Sequence, residues 1–397
     1  MAENTKIEWT RGADGSAGAT WNVVTGCSIA TPGCTNCYAM RLAGSRLQHH
    51  PSRAGLTKDS KAGPVWTGEV RFNEQWLTQP LRWKRSRKVF VAAHGDLFHE
   101  AVPDEVLDRV FAVMAAAPQH TFQVLTKRSS RARAYLSAPE TLGRIIAALQ
   151  ALSEKLGTGK SSRDPMGSAG WNAWAAAENL KLGNEQSSWP GWPLREVWLG
   201  VSVEDQRRAD ERIPDLLATP AAVRWISAEP LLGPVDLEAM PFSGGDPRHR
   251  WSALTGQAIM HATGAGGQPD FTVRLDAPIR PHLDWVVVGG ESGPGARPMH
   301  PDWARSLRDQ CAAAGVSYHF KQWGAWAELD QAKAADEAGW QGNRDWMVLS
   351  RDGALDIPDG RWPDADLGEA AVVRIGKKAA GRLLDGKQHD SFPEARR

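Results

Sequence analysis

Short apolar segments alternate with amphipathic helical segments along most of the chain, and this alternation limits the fold more than any other feature. Segment 103–117 (PDEVLDRVFAVMAAA) is typical of the helical ones, because Pro and acids open it and apolar residues recur every three or four positions. Segments 205–218 and 301–314 open similarly. Strand-like segments lie at 21–25, 88–93, 121–126, 196–203, 223–228, 283–290 and 316–321. This alternation predicts an α/β fold with a parallel sheet, and seven units favour a partial or full (β/α) barrel over a doubly wound sheet.

Two segments interrupt the alternation and are predicted to be insertions. Residues 157–192 are rich in Gly, Ser and Trp, and residues 239–281 break the pattern in the same way. From residue 324 onward, short strand-like segments are separated by turns and end in a helical segment. We therefore predict a barrel over 1–323 that carries both insertions, and a small β-rich C-terminal extension over 324–397.

The charge balance excludes a strong long-range attraction to polyanions or membranes. The 397 residues include 47 Lys and Arg against 46 Asp and Glu, a net charge of +1, so any polyanion must bind locally. No apolar run approaches the roughly 20 residues of a membrane span, and the N-terminal segment lacks the basic and apolar regions of an export signal. We expect a soluble cytoplasmic protein with no membrane partner.

Three of the four cysteines lie close together in TGCSIATPGCTNCYAM, residues 25–40, with the spacing C-x6-C-x2-C. A disulfide is disfavoured in a reducing compartment. A structural zinc site needs four ligands, and His49, His50 or the distant Cys311 would have to supply the fourth at an unusual spacing. An iron–sulfur cluster held by Cys27, Cys34 and Cys37 would leave one iron open for another ligand. The spacing favours the cluster, with zinc and unligated structural thiols as alternatives.

Polar residues lie at the predicted carboxyl ends of the strands, where parallel barrels carry their chemistry. Because side chains alternate along a strand, the polar faces of three neighbouring strands bring three glutamates towards the barrel mouth. Glu204, beside Asp205, could equally cap the following helix, whereas a binding role is favoured for Glu229, which precedes Pro230, and for Glu291 in GGESGPG. Each lysine could be solvated, and His94 is better explained as a buried imidazole. The candidate binding residues are Tyr38, Asp96, Lys127, Ser202, Glu204, Ser227, Glu229, Gly289, Gly290, Glu291 and Lys321.

Two basic segments raise the question of nucleic-acid binding. LRWKRSRK at 81–88 precedes a strand, so it should lie at the barrel end opposite the strand-end residues. TKRSSRAR at 126–133 follows a strand and should face the mouth, where it could guide a phosphate backbone. A charged, solvated helix face explains the second segment equally well.

Several phrases together resemble one family over nearly the whole chain. Cysteines directly after the first strand, ending in CxxC and an aromatic residue, are similar to those of radical S-adenosylmethionine (radical SAM) enzymes. The narrower resemblance is to the phage-associated three-Cys-motif family, a radical-SAM-like group of largely unknown function named after numbered phage gene products. The phrases that carry it are TGCSIATPGCTNCYAM, GDLFHE, VLTKR, WLGVSVEDQ, ISAEPLLGP, VVVGGESGPGARPM and FKQWGAW.

The resemblance implies a partial barrel of the radical SAM type with a [4Fe–4S] cluster on Cys27, Cys34 and Cys37. It further implies that the open iron binds S-adenosylmethionine, which on reduction yields a 5′-deoxyadenosyl radical. Tyr38 would then lie near the adenine, and the strand-end acids would serve the ammonium and ribose hydroxyls. A flavodoxin-like or ferredoxin-like electron donor and a nucleic-acid or nucleotide substrate complete this expectation, in the host cytoplasm if the chain is phage-encoded. The alternative is a non-catalytic nucleic-acid-binding protein of phage or prophage origin, stabilised by zinc or an Fe–S cluster.

Overall fold

The computed structural model describes residues 4–394 except 13, 158–167, 184–190, 243–245, 247, 263–270, 331–332, 334–344, 354 and 357–362. Its α-helices are α1 (Tyr38–Ala43), α2 (Asp104–Ala115), α3 (Ser129–Ser137), α4 (Thr141–Leu156), α5 (Ala169–Leu182), α6 (Gln206–Ala218), α7 (Pro301–Ala314) and α8 (Lys377–Ala380). Single-turn 3₁₀ helices lie at Glu8–Thr10, Pro32–Cys34, Glu74–Trp76 and Pro80–Arg82. None of these helices has both the length and the apolar character needed to cross a membrane.

The strands of the main sheet fall within or beside the predicted apolar segments, and additional strands lie between residues 57 and 72, in the insertion at 239–281 and in the C-terminal extension. In chain order they are β1 (Ala19–Trp21), β2 (Val24–Thr25), β3 (Thr57–Lys58), β4 (Val65–Trp66), β5 (Arg71–Phe72), β6 (Lys88–Val91), β7 (Thr121–Thr126), β8 (Val197–Ser202), β9 (Val223–Ala228), β10 (Met240–Pro241), β11 (His249–Trp251), β12 (Gln257–Ala262), β13 (Phe271–Pro278), β14 (Trp285–Gly289), β15 (Ser317–Gln322), β16 (Trp326–Glu328), β17 (Trp346–Ser350), β18 (Leu355–Asp356) and β19 (Glu369–Arg374).

Seven strands form a parallel half-barrel sheet in the order β1-β6-β7-β8-β9-β14-β15, with helices flanking it. The prediction of a mixed α/β fold with a partial (β/α) barrel is confirmed at this level. Two compact units divide the chain. The first consists of residues 1–201, 219–223 and 395–397, and the second of residues 202–218 and 224–394.

In the first unit, α2 shows how the predicted amphipathic pattern builds the core. Pro103 precedes the helix, and two acids occupy its first turn, where they complement the positive end of the helix dipole. Of the apolar stripe predicted at 106, 107, 110, 111 and 114, Leu107, Val110, Phe111 and Met114 are buried and Val106 is partly buried. The insertion at 157–192 contributes α5, which packs against α4 and α2. An inserted segment therefore supplies part of the helical layer.

In the second unit, α7 begins and ends at the residues the sequence predicted. The His300 imidazole accepts a hydrogen bond from the Asp302 backbone, and Gly315 ends the helix in the left-handed conformation, with φ of 68°. Trp225 on β9 and Trp285 on β14 lie with ring centroids 5.3 Å apart, and both are fully buried.

Two small antiparallel sheets occupy the second insertion and the C-terminal segment. The insertion at 239–281 forms a four-stranded sheet in the order β10-β11-β12-β13. The C-terminal segment forms a second sheet in the order β16-β19-β17-β18, and α8 follows it. The division of the chain at residue 324 remains a prediction.

We predict that Gly290→Ala destabilises the second unit while Gly289→Ala does not. A Cβ at position 290 would lie 1.8 Å from the Trp323 carbonyl oxygen, so the backbone after β14 would have to move away from the backbone after β15. We expect a loss of about 1–3 kcal/mol in the free energy of unfolding, the usual cost of overpacking. A Cβ at position 289 meets the side chains of Glu229 at 3.4 Å and Lys321 at 3.5 Å, which is ordinary van der Waals contact. Urea denaturation measures both variants, and equal midpoints would contradict the prediction.

Candidate functional site

Gly26 fixes the start of the segment 26–37, here called the cysteine loop. Its φ of +93° is one that side-chain-bearing residues rarely adopt, and a Cβ would lie 2.2 Å from the Glu69 carbonyl oxygen. Gly26 also donates its backbone N–H to the His94 carbonyl and forms an isolated parallel bridge with Gly95. The loop therefore leaves the sheet beside the carboxyl end of β6, within the first unit.

The three thiols of the cysteine loop lie near one another and are largely shielded from water. Burial raises the pKa of Cys27 to about 12, with the charges of Asp96, Cys37 and Cys34 adding to the rise and Arg128 opposing it. Burial also raises the pKa of Cys37, and the charge of Cys34 adds to that rise. Cys27 and Cys37 both pack against the apolar cluster of α1, Leu56 and Trp66. The Cys27 and Cys37 thiols are therefore in their neutral form at neutral pH.

A resident metal group can be tested against this arrangement. Within the described part of the chain, no group of three or more His, Cys, Asp or Glu side chains is arranged to hold a metal ion. Three neighbouring thiols are nevertheless the donor type that iron–sulfur clusters use. The loop thus matches a cluster in donor chemistry and proximity, but its side chains are not set in a coordinating arrangement.

Asp96 and Arg128 form a buried ion pair that ties the cysteine loop to the ends of β6 and β7. The Asp96 carboxylate accepts hydrogen bonds from the Thr126 hydroxyl (2.7 Å), the Lys127 and Phe98 backbone N–H groups (both 3.0 Å) and the Arg128 guanidinium (3.2 Å). Both side chains of the pair are 6% exposed. Asp96, predicted to bind a ligand, is thus already hydrogen-bonded by four groups of its own chain.

The same guanidinium reaches the residue that follows Cys27. Arg128 Nη2 donates to the Ser28 carbonyl oxygen at 3.0 Å and to the Ser28 hydroxyl at 2.8 Å. His99 Nε2 lies 2.9 Å from that hydroxyl. Through these bonds one arginine joins the strand ends to the cysteine loop.

Tyr38 and Lys127 lie beside the loop, where the sequence predicted them. Tyr38 opens α1, donates its hydroxyl to the Ala93 carbonyl and remains 52% exposed. Its ring meets His94 edge-on at 6.0 Å. Burial raises the pKa of Cys37, and the positive charge of Lys127 opposes that rise, so Lys127 lies close enough to influence the thiol.

His94 has a partner that the sequence did not reveal. Its Nδ1 lies 2.8 Å from the guanidinium of Arg53. Burial, together with the charge of Arg53, lowers the pKa of His94 to about 4. The ring is therefore neutral at neutral pH and is hydrogen-bonded as expected, but it is only partly buried.

In the second unit, each of the three predicted glutamates is paired with a cation. The pairs are Glu204 with Arg212 at 3.0 Å, Glu229 with Lys321 at 2.7 Å, and Glu291 with Arg297 at 2.8 Å. Glu204 does not cap α6, because Asp205 accepts the hydrogen bond from the Arg208 backbone instead. The Glu204–Arg212 pair is buried, and Arg212 also donates to the Ser202 carbonyl oxygen at 2.7 Å.

Glu229 is the most exposed of the three carboxylates, since Glu291 is 6% and Glu204 only 1% exposed. Glu229 is 20% exposed, and the Lys321 ammonium donates to both of its carboxylate oxygens. Gln322 approaches the same carboxylate at 3.4 Å and the Ser292 hydroxyl at 3.3 Å. These four side chains form one hydrogen-bonded group, of which Glu229 and Lys321 are partly exposed.

The remaining predicted residues act through their backbones. Ser227 accepts a hydrogen bond from the Val203 N–H at 2.8 Å, and Gly289 accepts one from the Leu231 N–H at 3.1 Å. Gly290 donates to the Gln322 carbonyl at 2.9 Å. These bonds join the ends of neighbouring strands in the second unit.

The residues of these networks that sequence reasoning missed include Arg53, Arg128, Arg212, Arg297 and Gln322. Arg297 stands six residues after Glu291 in GGESGPGARP, and Arg212 lies eight residues after Glu204 on α6. A search for a cation after each strand-end acid would have found both. No signal in the sequence indicates the contact of Arg128 with Ser28, one hundred residues earlier.

We predict that Arg128→Met costs much more stability than Arg131→Met, although both arginines lie in the same basic segment. Loss of Arg128 leaves Asp96 buried and unpaired, which typically costs about 3–5 kcal/mol. Arg131 pairs with Asp104 at a much more exposed position, where such pairs contribute about 1 kcal/mol or less. Thermal and urea unfolding of the full chain would compare them, and similar losses would show that the Asp96 pair has no special structural role.

No curated protein and no solved structure is significantly similar to this chain. One family model, described as a protein of unknown function (DUF5131), matches residues 4–393. That match spans almost the entire sequence. The chain therefore belongs to the DUF5131 family.

Proposed function

We propose that the protein is a radical-SAM-like iron–sulfur enzyme whose [4Fe–4S] cluster is held by Cys27, Cys34 and Cys37. The observation that carries the proposal is the proximity of three thiols in a loop fixed at the carboxyl end of β6 and tied down by Arg128. Parallel α/β barrels carry their chemistry at this end of the strands. The family match adds nothing about activity, because the family's function is unknown.

When bound, the cluster would supply an electron for reductive cleavage of S-adenosylmethionine, and the chain's own residues would hold and shield it. Arg128 and Lys127 place two positive charges near the thiolates. Tyr38 offers an exposed ring at the start of α1, suited to stacking on a flat ligand such as adenine. We further propose a flavodoxin-like or ferredoxin-like electron donor, a nucleic-acid or nucleotide substrate, and a cytoplasmic location.

We predict that Ala at position 27, 34 or 37 abolishes the brown absorbance of anaerobically reconstituted protein, whereas Cys311→Ala retains it. Cys311 lies on the buried face of α7 with Ala304 and Leu307, where it serves as a small apolar side chain. Iron and acid-labile sulfide, measured per chain, provide the quantitative comparison. Circular dichroism of each apoprotein would separate loss of the cluster from loss of the fold.

Two outcomes would count against this assignment. If Cys311→Ala loses iron as completely as Cys34→Ala, a fourth thiolate occupies the iron that S-adenosylmethionine needs. If protein purified without oxygen contains one zinc and no iron, the alternative of a non-catalytic, metal-stabilised nucleic-acid-binding protein replaces the enzyme.

We predict that the reconstituted protein, reduced with dithionite, converts S-adenosylmethionine to 5′-deoxyadenosine and methionine. Liquid chromatography with mass detection measures both products, and Cys34→Ala serves as the matched control because it should lack the cluster. Products at the level of this control, despite a full complement of iron and sulfide in the wild type, would overturn the enzymatic proposal and leave only an iron–sulfur protein.

A further inference from the structure

A basic cavity in the first unit takes no part in the site described above. Its volume is about 470 Å³, and it is lined by Gln79, Arg82, Trp83, Lys84, Arg85 and Arg87. Four of the six lining residues are cationic and none is acidic. In a chain with a net charge of only +1, this is a strong local concentration of positive charge.

One residue that lines this basic cavity, Trp83, is buried and packs against neighbouring core residues. Trp83 is only 5% exposed, and its ring meets His120 edge-on at 5.7 Å. His120 Nε2 in turn lies 3.1 Å from the Pro80 carbonyl oxygen. The Arg87 guanidinium lies over the Trp83 ring, 5.8 Å from its centroid. Arg87 is therefore held against a buried aromatic ring, which reduces the conformational entropy that its side chain loses when a ligand binds.

Three of these cations are exposed and available. Arg82, Lys84 and Arg85 are exposed, and within the described residues none of them forms an ion pair or a side-chain hydrogen bond. The other basic segment differs in this respect. At 126–133, Arg128 is paired with Asp96 and Arg131 with Asp104. The sequence favoured 126–133 for phosphate contacts, but the free positive charge lies at 82–85.

We propose that this basic cavity binds the phosphate backbone of a nucleic acid. Guanidinium groups match phosphate oxygens in a bidentate geometry, and a row of exposed cations suits successive phosphates. The Trp83 ring is buried and therefore does not offer a face for stacking on a base, so the recognition rests on the charges. Since the cavity precedes the amino end of β6 and the cysteine loop lies at its carboxyl end, bound nucleic acid would leave that loop accessible.

The test is fluorescence anisotropy of the full chain with a labelled 20-nucleotide single strand and the matching duplex. The triple variant Arg82→Gln, Lys84→Gln, Arg85→Gln should weaken binding at least tenfold at low salt. The slope of log affinity against log salt should fall in magnitude by about 2 for the single strand, since three phosphate contacts are lost. The matched control, Arg46→Gln, Lys58→Gln, Lys61→Gln, removes the same charge from exposed positions in the same unit and should bind like the wild type.

Three results would overturn the proposal. The first is wild-type protein that binds neither oligonucleotide at low salt. The second is an equal loss of affinity in the control triple, which would reduce the effect to net charge. The third is competition by pyrophosphate or ATP at concentrations comparable to the oligonucleotide, which would make the cavity a small-anion site. Unfolding curves of both triples establish that the fold is intact. Because the assay uses protein without a cluster, its outcome is independent of the iron–sulfur proposal.

Discussion

The buried ion pair between Asp96 and Arg128 is the interaction on which the candidate site in the first unit depends. A carboxylate at this depth is stable only when its charge is compensated and its oxygens accept hydrogen bonds. The Arg128 guanidinium compensates the charge of Asp96. The Asp96 oxygens accept hydrogen bonds from that guanidinium, the Thr126 hydroxyl and two backbone N–H groups. The same guanidinium uses its other nitrogen, Nη2, to donate hydrogen bonds to Ser28. The arginine that compensates the buried Asp96 charge therefore also fixes the position of the cysteine loop.

In the second unit, too, the charge of each strand-end acid is compensated by a cation. Acids placed at strand ends by the α/β pattern are each matched with a cation from a nearby helix, loop or strand. A buried pair such as Glu204–Arg212 is committed to the structure, because removing either partner would leave an uncompensated charge. Glu229 and Lys321 are partly exposed, so water or a ligand can replace one partner at lower cost. Burial therefore separates structural acids from candidate binding acids more sharply than their positions along the strands do.

Most of the fold could be predicted because it depends on local pattern. Segments 121–126 and 223–228 are strands with the predicted bounds, and α7 ends before Gly315 as its capping glycine indicates. The contacts within the candidate site depend instead on tertiary packing. Which cation meets Glu229 or Asp96 is decided by how distant segments pack, and Arg128 meets Ser28 across one hundred residues. Alternation placed the acids at the strand ends correctly, but it carried no information about their partners.

The electrostatics of the cysteine loop limit the states in which its three thiols can exist. Buried free thiolates would repel one another and lose hydration, which is why burial raises the pKa values of Cys27 and Cys37. Neutral thiols avoid that cost, and thiolates bound to metal avoid it too, because the cation compensates their charge. Arg128 and Lys127 reduce the cost without removing it. The loop is thus stable either protonated or metallated, and binding a metal must release the thiol protons, so affinity for metal should rise with pH.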